Sequence, residues 1–220
     1  MVQQDDGDGV HDGAAGPYGS PEVLDAGTLE TIRESNQGFL TLVVRRHAAQ
    51  PASEVFGLSA ATARAVAALD EGGHRALAGC PYTLFNLRLD DAAFWRRVAA
   101  DCRDPGPDTV ADEAAFVRTT LFLAWHLARN NEFAAAIALG MTPPVRRVWR
   151  RLPLPALACA TSAAMPQLAA RWGAQPRFWP RLLQVVTPTG RAGRHADVRL
   201  LGLQLLAAEG LGLAPPGRGA

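Results

Sequence analysis

The sequence predicts an all-α fold. Three observations carry that expectation: apolar residues recur at helical spacing, those runs are closed by capping and breaking residues, and the pattern occurs twice along the chain. In the later copy Phe116, Thr120, Leu123 and Leu127 stand at i, i+4, i+7 and i+11. Asn130-Asn131 breaks that run, and Phe133, Ala136, Ile137 and Leu139 form a second short helix. Gly140 follows, where a left-handed residue closes a helix at little steric cost. Thr142 then stands as N-cap with Pro143 in the first turn. Val145, Val148, Trp149 and Leu152 give a clean apolar face, and Pro153 and Pro155 end the helix.

The earlier copy repeats the scheme. It predicts helices over Ile32–Ala48 and Ser53–Phe56, a turn at Gly57, Ser59 as cap and a helix over Ala60–Leu69. Leu84–Leu89 reads as either extended or helical. At an offset of 83, Phe39-Leu40 matches Phe122-Leu123, Arg46 matches Arg129, Gly57 matches Gly140 and Leu69 matches Leu152. At an offset of 84, Phe94-Trp95 and Arg97 match Phe178-Trp179 and Arg181. Ordered matches at nearly constant spacing point to an internal duplication.

The organisation follows from these blocks. Residues 1–26 are rich in Asp and Gly without periodicity and are expected to be a disordered acidic tail. Residues 27–100 form the first helical domain, 101–110 a Pro/Gly linker, 111–186 the second domain, and 187–220 a loop, a short apolar helix near Val198–Glu209 and a loose end.

Of the 220 residues 48% are hydrophobic, enough to fill a packed core. The net charge of +1 hides a division. Residues 1–110 carry nine arginines against 16 carboxylates, net −7, and residues 111–220 carry 13 against five, net +8. There is no lysine. The division points to an anionic partner for the second half, or to attraction between the halves. Cys80, Cys102 and Cys159 are far apart with no CxxC or CxxH spacing, so no zinc site is expected and scattered thiols fit a reducing cytoplasm. The acidic start lacks an apolar h-region, and no apolar run is long enough for a membrane span.

The helix–Gly–cap–helix unit has the outline of a helix-turn-helix, or of any αα-hairpin. Its second helix in the later copy carries Arg146, Arg147, Arg150 and Arg151 at i, i+1, i+4 and i+5, one stripe opposite the Val/Trp face. Such a stripe suits DNA phosphates, and Arg also binds guanine bidentately. It could equally be a solvated face or dock an acidic protein surface. The earlier copy has Ala63, Arg64, Ala67 and Ala68 at the matching positions, so a DNA-binding role falls to Arg146, Arg147, Arg150 and Arg151 alone.

Catalytic patterns are absent. His11, His47, His74, His126 and His195 show no HExxH or paired-ligand spacing, and GxGxxG, GK[ST] and GxSxG motifs do not occur. Arg45-Arg46 and Arg96-Arg97 read as bundle-surface pairs, and Trp95, Trp149, Trp172 and Trp179 as core. The expectation is a protein that is not an enzyme and holds neither metal nor cofactor.

Glu34-Ser-Asn36, Phe39-Leu-Thr-Leu-Val-Val44, Ala52-Ser53, Phe56-Gly-Leu-Ser59, Ala76-Leu-Ala78 and Leu84-Phe-Asn-Leu-Arg-Leu-Asp-Asp91 together resemble the FlhD family of bacterial flagellar transcriptional regulators. Leu123–Arg129, Leu139-Gly-Met-Thr142 and Phe178-Trp179 resemble it more weakly. The resemblance implies an all-α fold, two related FlhD-like domains forming a pseudo-dimer within one chain, and a cytoplasmic role in transcription activation. It also implies a protein partner, FlhC-like or another, with duplex DNA as target; homo-oligomerisation stays open, and an adaptor that kept the fold without binding DNA is the alternative. The chain departs from the family in its tandem length, its acidic start, and Phe85 where the family has Cys beside a Phe-Arg-Phe-like segment.

Overall fold

The computed structural model describes residues 24–101, 112–186 and 202–205. Of the expected tail (1–26) residues 1–23 lie outside them, of the expected linker (101–110) residues 102–110, and of the C-terminal region all but helical residues 202–205; Ala26 begins a helix and Asp101 ends one. The described chain is mostly helical, with one two-stranded ladder.

Helix α1 (Ala26–Ala49) starts where Asp25 accepts the Thr28 N–H at 2.7 Å and stops just before Pro51. Its buried face is Ile32, Asn36, Phe39, Leu40 and Val43. The sequence predicts a helix over Ser53–Phe56, and here the structure differs. Phe56 and Gly57 both take positive φ (50° and 76°), and Val55 and Leu58 exchange N–H···O bonds of 3.0 and 2.9 Å. Two consecutive left-handed residues make a tight reversal of type I′ character rather than a helical turn. Helix α2 (Ala60–Ala67) is capped by Ser59, and α3 (Glu71–Ala78) by Asp70. Of the ambiguous run Leu84–Leu89, Phe85–Asn86 is extended as strand β1 and Arg88 is left-handed, and α4 (Ala92–Asp101) follows.

In the second half α5 (Asp112–Asn130) ends at the predicted Asn pair. Asn131 caps α6 (Glu132–Leu139) by accepting the Ala134 N–H at 2.9 Å, and Gly140 takes φ +67°. Helix α7 (Pro143–Arg151), helix α8 (Ala156–Ala164), a 3₁₀ turn (Met165–Gln167), strand β2 (Ala169–Ala170) and α9 (Phe178–Val186) complete the order.

Antiparallel pairing of Phe85 with Ala170 and Asn86 with Ala169 places the ladder at the centre. Around it α1 packs on α2 and α3, while α5 packs on α7 and α8. The last helices cross over: α4 packs on α7 and α8, and α9 on α2 and α3. Helices α1 and α5 also touch, and Arg45 and Arg46 pair with Asp112 and Glu113 there.

Several matched positions behave alike. Gly57 and Gly140 are both left-handed, and so are Arg88 and Trp172, which stand at an offset of 84. Phe94-Trp95 and Phe178-Trp179 are buried. Trp95 donates to Arg88 O at 2.8 Å and Trp179 to Arg171 O at 2.9 Å, acceptors one position apart at that offset. The match of Phe39 with Phe122 does not extend to burial. Phe39 is fully buried against Phe56, Phe85 and Phe116, whereas Phe122 is 43% exposed. Helix α5 buries Ala114, Val117, Leu121, Ala124 and Ala128 instead, so its inward face is rotated away from Phe122.

Asn36 ties α1 to the approach to β1. Its amide donates to Ala78 O (3.2 Å), Cys80 O (3.4 Å) and Tyr82 O (2.9 Å), and its oxygen accepts the Leu84 N–H at 2.8 Å. One buried side chain thus satisfies four backbone groups of that loop. Asn36→Ala strands these groups and is expected to cost roughly 2–4 kcal/mol, read as a lower urea midpoint at unchanged m-value.

Candidate anion-binding surface

Helix α7 begins at two prolines, which lose nothing in a first turn whose N–H groups have no helical acceptor. Thr142 has the extended backbone of an N-cap but makes no capping bond. Its N–H and hydroxyl instead reach Leu89 O and Asp90 O, both at 3.4 Å, tying the start of α7 to the chain leading into α4. Val145 and Trp149 are fully buried, and Trp149 meets Trp95 of α4 edge to face with ring centres 4.6 Å apart. An aromatic pair of this geometry adds about 0.5–1.5 kcal/mol beyond its area burial. It fixes α7 against α4 and leaves the arginine face outward.

The four sequence-predicted arginines do not stand alike. Arg147, Arg150 and Arg151 are exposed. Arg146 is half-buried and turns back to donate to Met141 O at 3.1 Å, which closes the turn after Gly140. Among the described residues none of the four is paired with a carboxylate; the ion pairs there belong to Arg33, Arg45, Arg46, Arg75 and Arg88. The stripe therefore does not dock onto acidic side chains of the first half within the described residues.

Two further arginines join this surface. Arg129 stacks 4.4 Å over Trp125 and donates to Arg150 O at 2.9 Å, a cation at the end of α7 where the helix carbonyls favour positive charge. Arg96 of α4 lines a groove of about 560 Å³ together with Arg147 and Arg151, and Ala99, Pro144, Val148, Leu152 and Pro153 complete the lining. The sequence treats Arg96 as an ordinary surface residue. Only the crossing of α4 onto α7 brings it here, and no local spacing signals that. At the matching positions of α2, Arg64 is the sole charge.

The remaining candidates fall outside any site. His126 is exposed and bonded to the Asn130 side chain, and His74 to Val66 O. His11 and His195 lie outside the described residues. No group of three His, Cys, Asp or Glu side chains among the described residues could hold a metal ion, and no described helix is long and apolar enough to cross a membrane. Trp95, Trp149 and Trp179 are buried and Trp172 partly so. Cys80 is buried, whereas Cys159 is disulfide-bonded, so the reading of all three cysteines as scattered thiols fails for Cys159. Cys102 lies outside the described residues. No family model, curated protein or solved structure matches the chain.

Asp91 anchors the arm that carries Arg96. It accepts the Phe94 N–H at 2.8 Å, which, with the Arg88 guanidinium, holds its carboxyl below the ordinary value of 3.8 against a smaller opposing effect of burial. A carboxyl lowered in the folded state stabilises the fold above its unfolded value, and that contribution disappears as the pH falls through the lower folded value. Asp91→Ala is expected to cost about 1 kcal/mol at neutral pH, as loss of a helix cap does. The gap between the two proteins in urea unfolding should shrink steadily once the pH drops below about 4.

Proposed function

We propose that this chain is an FlhD-like transcriptional regulator that works in the cytoplasm and contacts duplex DNA through α7, together with a protein partner. The observation that carries the reading is the face of α7: Arg147, Arg150 and Arg151 are exposed, without carboxylate partners among the described residues, on the helix that follows the Gly140 turn. The α6–Gly140–α7 unit serves as the helix-turn-helix-like element, and Arg146 fixes its turn rather than touching phosphate.

We take the two halves to be duplicated copies forming a pseudo-dimer within one chain. Support comes from the left-handed pair Gly57 and Gly140, the left-handed pair Arg88 and Trp172, and the reciprocal pairing of β1 with β2. A closed two-fold arrangement pairs residue i with j and j with i. At the offset of 84, Phe85 and Asn86 stand against the counterparts of Asn86 and Phe85. In this arrangement one half keeps the arginine face and the other does not.

A protein partner is supported by exposed aromatic side chains, Phe133 at 62% and Phe122 at 43%. Large apolar groups left in water on neighbouring helices favour an interaction surface. The same observation supports the second reading, an adaptor or assembly factor whose arginine face meets protein instead of DNA.

Duplex DNA titrated over a salt series from about 50 to 200 mM separates the two readings. Changing Arg147, Arg150 and Arg151 together to Ala, with Arg146 left to hold its turn, should weaken binding and flatten the log–log salt slope by about 0.9 for each phosphate no longer neutralised. Equal affinity and slope for the two proteins would leave the adaptor reading.

A further inference from the structure

We propose that the groove between α4 and α7 is a binding site for a nucleotide, a ligand with a planar base and at least two phosphates. Three guanidinium groups from two different helices, Arg96, Arg147 and Arg151, line one concavity, and none of them has a carboxylate partner among the described residues. A cluster of unpaired cations raises a positive local potential that attracts anions. Arg147 and Arg151 are one helical turn apart, with Cβ atoms about 6 Å from each other, a separation that straddles a diphosphate. Each guanidinium offers a planar donor fork to phosphate oxygens.

The apolar part of the lining separates this site from a simple phosphate contact. Ala99, Val148 and Leu152 give it an apolar surface, and its volume of about 560 Å³ lies within the range of small-molecule sites. A DNA backbone lying along the outer face of α7 makes no use of an apolar hollow. A base ring does, because its faces are poorly hydrated while its phosphates need cations. Guanidinium planes can also stack on the ring. The charge fits as well: two esterified phosphates carry roughly −3 at neutral pH, against three arginines. At the matching offsets on α9 and α2 stand Pro180, Arg64 and Ala68, so the second crossing lacks the cluster.

The proposal shares Arg147 and Arg151 with the DNA reading but not Arg150, which is exposed and outside the groove. The test is isothermal titration of the full chain with ADP, GDP, adenosine and inorganic pyrophosphate. The expected result is saturable binding of one nucleoside diphosphate per chain. Arg96→Ala and Arg151→Ala should each weaken it about tenfold or more, the usual effect of losing a charge-assisted hydrogen bond. Ala99→Phe, at an exposed position, fills the groove without changing charge and should abolish nucleotide binding while leaving DNA affinity unchanged. Arg150→Ala should leave nucleotide binding within about twofold and weaken DNA binding. Absence of saturable binding by either nucleotide overturns the proposal. So does pyrophosphate binding as tightly as ADP or GDP, or an equal loss with Arg150→Ala and Arg96→Ala. A chain that binds nucleotide and not DNA keeps this site and removes the DNA reading.

Discussion

The short ladder between Phe85-Asn86 and Ala169-Ala170 is the constraint on which the rest depends. Two residues per strand contribute little energy by themselves, but they fix where the chain is when each left-handed residue, Arg88 or Trp172, reverses it. After the reversal each last helix points into the opposite half. Burial of Trp95 against Trp149, and of Phe178 against Trp172 and Tyr82, then locks the exchange. Asn36 holds the approach to the ladder from one side, and Thr83 N–H, bonded to Ala138 O at 2.8 Å, holds it from the other.

The basic surface follows from this architecture together with an uneven supply of carboxylates. Between residues 112 and 186 the acidic side chains are Asp112, Glu113 and Glu132. The first two are engaged by Arg45 and Arg46 at the contact of α1 with α5. Among the described residues of that half no carboxylate neutralises α7. The crossing of α4 then adds Arg96, and the end of α5 adds Arg129. Exposed ion pairs such as Arg45–Asp112 contribute little stability individually. Their larger effect is to decide which arginines remain available.

What the sequence disclosed was local. Ser59 as cap, Asn130-Asn131 as the end of α5, Gly140 as a left-handed stop, Pro153 as a break and the opposed faces of α7 all depend on neighbours within one helical turn. The Ser53–Phe56 stretch was opaque because two successive positive φ angles are chosen by the tertiary setting of Val55 and Leu58, not by any periodicity. The match of Phe39 to Phe122 misled because identity at constant spacing does not fix the rotation of a helix about its axis. The groove was invisible because Arg96 and Ala99 join it from α4, some fifty residues earlier in the chain, and packing of α4 on α7 leaves no trace in local pattern.

The exchange of α4 and α9 also bears on how this chain can be divided. Each arm finishes the interior of the opposite half, so a cut between the halves does not yield two self-sufficient pieces. A fragment ending at Asp101 would keep α1 to α3 without α9 above them and would carry Trp95 with no Trp149 to cover it. In a single continuous polypeptide that exchange is intramolecular and insensitive to dilution.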